Sequence, residues 1–132
     1  MITIISAKKF ATKLKATMQV TGRMGFTDET VKQLGITENS FIKFAQDDDT
    51  DKTLYISVLN VPDSDAFKVC KAGKYYYLPT KMLFDSMEMD YKTKTIIFDL
   101  LRAEELDAEL GGQAYKLNKR ELQRKQNNDT TE

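Results

Sequence analysis

Apolar and polar residues alternate along much of the chain, and most of the elements they predict are short strands. Residues 14–26 alternate as one strand, with Leu14, Ala16, Met18 and Val20 on one face and Lys15, Thr17, Gln19 and Thr21 on the other. Gly22 and Gly25 mark a bend, a bulge or a close backbone approach within that strand or at its end. Thr27 suits an N-cap, Asp28 and Glu29 suit the positive end of a helix dipole, and Gly35 suits a helix terminator. A two-turn helix over 28–34 follows, with Val31 and Leu34 as its apolar stripe. Phe41–Ala45 and Thr53–Leu59 then read as a hairpin around the acidic turn 47–51, and Pro62-Asp63-Ser64-Asp65 breaks the chain.

The second half repeats this order. Phe67–Lys71 alternates as a strand, Ala72-Gly73 turns, and Lys74–Leu78 forms another strand. Pro79 and Asp90 bracket a helix carrying Met82, Leu83, Phe84 and Met87 at helical spacing, and Thr95–Leu100 is an apolar strand. Ala103–Leu110 has helix-forming composition and stops at Gly111-Gly112, whereas Lys116–Gln126 fits a basic helix or a strand equally. A first strand is predicted at 2–5, an irregular or helical piece at 6–12 and a disordered tail at 127–132.

Two stretches echo each other: Gly22-Arg23-Met24-Gly25-Phe26 and Gly73-Lys74-Tyr75-Tyr76-Tyr77-Leu78 each set a Gly-basic pair on a strand leading to a helix and a hairpin. The predicted fold is therefore α+β: antiparallel β-hairpins with short helices, arranged as two similar β-α-β halves, about 1–60 and 67–118, in one compact domain spanning 1–126.

Charge follows the same repeat. The 20 basic and 20 acidic residues cancel, but residues 1–35 carry +4, 36–66 carry −5, 67–81 carry +4, 82–110 carry −5 and 111–132 carry +2. Each Gly-basic strand thus lies in a basic block followed by an acidic hairpin. Such blocks can meet phosphates, or can be the solvated face of an antiparallel sheet.

Composition removes several function classes. There is no histidine, hence no Ser-His or Cys-His nucleophile and no imidazole metal ligand. Asp47, Asp49 and Asp51 have the first spacings of a calcium loop, but Lys52 stands where its glycine is required and Val58 where its last glutamate is required. No phosphate-binding glycine loop or nucleophile elbow is present. The expectation is a non-enzymatic binding protein without cofactor or metal. The single cysteine, Cys70, and an apolar N-terminal run of only five residues predict a cytoplasmic protein that does not enter the membrane.

The run Thr21–Thr27, followed by Glu29, Leu34-Gly35-Ile36 and the hairpin from Phe41 to Val58, resembles the AbrB/MazE-type swapped-hairpin modules of bacterial transition-state regulators and antitoxins. The second half follows the same outline, with Met87-Glu88-Met89 standing at the Leu-Gly-Ile position; a tandem of two is similar to the MraZ arrangement. The resemblance implies DNA binding and transcription regulation, with Arg23 and Lys74 on strands that face DNA. Lys15 and Lys71 are the further basic candidates. Tyr75-Tyr76-Tyr77 offers either a stacking platform, through Tyr76 or through the pair Tyr75 and Tyr77, or an ordinary tyrosine-rich strand. The second functional reading is a protein-interaction or assembly module, and a homo-oligomer is expected in that case.

Overall fold

The structure, a computed structural model, describes residues 1–5, 7, 14–49 and 53–123. Among these residues it is mostly antiparallel β, in nine strands: β1 (Lys15–Met18), β2 (Met24–Phe26), β3 (Phe41–Asp47), β4 (Thr53–Leu59), β5 (Ala66–Lys68), β6 (Cys70–Ala72), β7 (Tyr75–Leu78), β8 (Lys94–Arg102) and β9 (Gln113–Gln123). Two helices, α1 (Asp28–Leu34) and α2 (Lys81–Ser86), and a 3-10 turn at Glu104–Leu106 running into α3 (Asp107–Leu110) complete the described elements.

The strand order is β5-β3-β4-β9-β8-β1-β2-β7-β6, with every pairing antiparallel. Its two ends, β5 and β6, are consecutive in the chain and separated only by Val69, which is buried and donates its N–H to the Ser40 carbonyl at 3.0 Å. One seven-residue stretch, 66–72, therefore pairs with β3 through its first half and with β7 through its second. It draws the sheet into a nearly closed barrel.

This architecture overturns the expected α+β fold of two β-α-β halves. The opening strand of each half pairs with a strand of the other: β1 lies against β8, with Lys15 opposite Asp99, and β5 lies against β3, with Phe41 opposite Lys68. Neither half can bury its apolar face alone, so a single barrel forms from interleaved strands. The ring order is unchanged when β1-β2-α1-β3-β4 is exchanged with 66–72, β7, α2, β8 and β9. The strand expected over 14–26 is also corrected. It is a tight hairpin of β1 and β2 in which Gly22, at φ +87°, makes the turn and leaves Val20 half exposed. Residues 2–5 are exposed and form no strand. The expected irregular or helical piece at 6–12, apart from residue 7, and the expected tail at 127–132 lie outside the described residues.

The barrel is filled by alternate residues of its strands. Ala16 and Met18 of β1, Ile42 of β3, Ile56 of β4, Ile96, Phe98 and Leu100 of β8 and Leu78 of β7 are all at most 2% exposed. α2 inserts Phe84 between Phe44 and Phe98, at centroid distances of 6.0 and 5.9 Å. Full burial of each such side chain contributes about 1.5–3 kcal/mol. α1 is set by its caps, since Thr27 accepts the Thr30 N–H and Gly35 turns left-handed at φ +66°. Buried Thr30 then locks α1 to β1, accepting the Lys15 N–H at 2.7 Å and donating to the Lys15 carbonyl at 3.0 Å.

A smaller cluster covers part of the barrel's outer wall, where Ala103, Leu110 and Ala114 pack with Tyr55 and Leu106. Both Arg102 Nη atoms reach the Asp107 carboxylate at 2.6 Å, and Asp107 also accepts the Ala114 N–H at 2.9 Å. The guanidinium first, and that N–H second, hold the Asp107 pKa down at about 2.

Candidate functional site

Strands β2 and β7 run side by side, with Met24 opposite Leu78 and Gly25 opposite Tyr77. Alternation places Tyr75 and Tyr77 on the outer face and Tyr76 on the inner one, where Tyr76 packs against the core. Across β2 the outer face has no side chain at Gly25. A Cβ there would occupy the position of the Tyr75 hydroxyl, so glycine is what lets the phenol end of that side chain reach over the strand.

The two outer rings are near-parallel, 19° apart with centroids at 6.1 Å. The Arg23 guanidinium lies 4.5 Å from the Tyr77 centroid, a cation–π distance, and the Gln19 side-chain amide donates to the Tyr75 hydroxyl. Tyr75 remains 38% exposed, so the assembly presents an aromatic surface to solvent. Its arginine sits on a braced turn. Gln19 donates its N–H to the Arg23 carbonyl at 2.8 Å, and Thr80 at the start of α2 donates its hydroxyl to the Gly22 carbonyl at 3.0 Å. A Cβ on Gly22 would stand 2.8 Å from Lys81 Cβ, so turn and helix are in direct contact.

α2 is braced in turn. Tyr91 donates its buried hydroxyl to Asp85, and Lys81 pairs with the same carboxylate at 2.7 Å. The Lys81 hydrogen bond, and after it that of Tyr91, holds the Asp85 pKa below the ordinary carboxylate range, while Asp85 raises that of Tyr91.

The five residues singled out by sequence are not gathered on one surface. Arg23 belongs to the outer tyrosine face. Lys15 projects from β1 on the same wall, where its cross-strand neighbour Asp99 is already held by Arg120 at 2.6 Å. Lys71 lies opposite Tyr76 on β6, its ammonium 5.7 Å from that ring, on the inner side of the strand pair. Lys74 follows Gly73, at φ +63°, in the two-residue turn between β6 and β7. Because β2 and β7 are antiparallel, Arg23 and Lys74 mark opposite ends of the pair. The sequence reading left Gln19 and Gly25 out of the site. The signal for Gly25 was a glycine inside a strand; Gln19 had none, because a tight turn carries it to Tyr75.

At one end of the barrel an open cleft of about 900 Å³ lies between the β3–β4 hairpin, β9 and the last turn of α2, floored by Leu54, Leu83, Met87, Phe98 and Leu117. Among the described residues no group of three or more Cys, Asp or Glu side chains could hold a metal ion, and no helix is long and apolar enough to cross a membrane. No known protein family, curated protein or solved structure matches the chain.

Proposed function

We propose that this chain is a non-enzymatic nucleic-acid-binding protein that uses the outer Tyr75–Tyr77–Arg23 face. The observation that carries the reading is the seat made by Gly25, which receives the tip of an exposed tyrosine beside a second near-parallel ring with an arginine against it. Every base has a π-face, and stacking on such a ring contributes about 1–3 kcal/mol per base. Arg23, with Lys15 and Lys74 at the margins, supplies phosphate contacts. Splayed single strands suit the stacked rings best, and the resemblance to regulator modules extends the reading to DNA and transcription control in the cytoplasm.

Fluorescence anisotropy against single-stranded and duplex oligonucleotides, at two salt concentrations, tests it. Binding that falls steeply with salt and is reduced by Arg23→Ala and Tyr75→Ala is expected. No binding at low salt ends the nucleic-acid reading.

A protein-interaction module is the second reading. The observation favouring it is the separation of Lys71 and Tyr76 from Arg23, which divides the basic residues between two faces.

A further inference from the structure

β4 accompanies β9 only from Val58 opposite Gln113 to Leu54 opposite Leu117, whereas β8 accompanies it to Gln123. Among the described residues, the flank of 118–123 facing away from β8 has no strand partner. Alternate residues of an antiparallel strand direct their N–H and C=O groups to each flank, so among the described residues this edge offers an unused row of donors and acceptors. The start of this edge, Asn118 and Lys119, borders the open cleft.

We propose that this edge is a self-association surface, on which two copies of the chain pair antiparallel along Asn118–Leu122 about a twofold axis at Arg120. The sequence Asn118-Lys119-Arg120-Glu121-Leu122 is complementary to itself in that register. Lys119 falls opposite Glu121 of the second copy, and Glu121 opposite its Lys119, giving two cross-strand ion pairs. Both side chains are available: Lys119 is 3.1 Å from Glu121 and Lys94 is 3.5 Å from Glu121, all partly exposed, and exposed pairs of this kind exchange partners at little cost. Arg120 meets its own copy on the opposite face. Each guanidinium is held by two Asp99 oxygens, at 2.6 and 3.2 Å, so the centre is two neutral pairs rather than two bare cations. Leu122, 52% exposed, gains cover from Asn118 of the second copy. A twofold pairing consumes both edges and closes, so it produces a dimer rather than a fibre. The inference rests on the strand edge and is independent of the tyrosine face.

Sedimentation equilibrium of the full chain tests it. A reversible monomer–dimer equilibrium is expected. Glu121→Lys raises the dissociation constant about tenfold or more, since the twofold makes the substitution count twice, and the charge-swapped Lys119→Glu/Glu121→Lys chain recovers most of that loss. Hydrogen exchange on the unmodified chain gives a second reading, with amides of 118–123 gaining protection as concentration rises. A chain that stays monomeric at every concentration overturns the proposal, including one whose edge accepts an unrelated extended peptide. So does a dimer indifferent to Glu121→Lys, a swapped chain that fails to recover, or exchange at 118–123 independent of concentration.

Discussion

Glu88 is the one described non-glycine residue with positive φ, at 56°, and replacing it with glycine should stabilise the protein. The position ends α2 as Gly35 ends α1. Gly35 donates to the Lys32 carbonyl and Ile36 to that of Val31, while Glu88 donates to Asp85 and Met89 to Phe84, the same two reverse bonds. Left-handed backbone costs an L-residue about 1–2 kcal/mol, because Cβ crowds the following carbonyl. Glycine removes that cost but brings about 0.5–1 kcal/mol of extra chain entropy in the unfolded state. The Glu88 side chain is exposed and has no hydrogen bond or ion pair among the described residues, so nothing further is lost. The balance favours Glu88→Gly by about 0.5–1 kcal/mol, equivalent to about 2–5 °C in Tm for a chain of this length. Urea unfolding followed by circular dichroism, with an unchanged m-value, measures it. Glu88→Ala keeps the Cβ and should change stability little. A glycine variant no more stable than the parent, or an alanine variant equally stabilised, would refute the argument.

Gly25→Ala should push the Tyr75 ring off β2 yet leave the unfolding midpoint nearly unchanged, because the displaced group is the tip of an exposed side chain; oligonucleotide affinity should fall about 5- to 100-fold, as for Tyr75→Ala, and anisotropy reads the loss. Thr30→Val should cost about 1–3 kcal/mol in chemical denaturation, since it strips the Lys15 N–H and carbonyl of their buried hydroxyl partner. Asp107, held at about 2, contributes stability that is complete above the ordinary carboxylate pKa and is lost as pH falls from about 4 towards 2; the acid limb of a stability–pH profile should flatten in Asp107→Asn.

Local signals were legible in the sequence. The Thr27 cap and the Gly35 terminator fixed α1 at both ends, and alternation through Ile96, Phe98 and Leu100 is the barrel's inner row. Alternation misled at 14–26, because Val20 continues the apolar phase across a turn, and only the left-handed Gly22 separates the two strands. Ring order was beyond reach, since the contacts between β1 and β8 join residues 80 or more positions apart and leave no local trace. For the site, strand parity limited the tyrosines to Tyr76 alone or Tyr75 with Tyr77. The choice depended on which side of β7 faces the core, and that follows from Leu78 and the packing of Tyr76. The same parity separates Lys71 from Arg23, a distinction that a count of charge along the chain does not make. β9 was ambiguous because beyond Leu117 it is flanked by β8 but not by β4, and its residues on both faces are exposed from Lys119 on.

The pairing of β1 with β8 also sets a timetable for synthesis. The strand that covers the far side of β1 leaves the ribosome about 80 residues after it, a delay of roughly 4–16 s at ordinary elongation rates. During that interval the β1–β2 hairpin carries Met18, Met24 and Phe26 with no barrel to receive them. The nascent chain is therefore exposed to proteases and to aggregation throughout that interval, and it closes only when β9 has followed β8 to join it to β4.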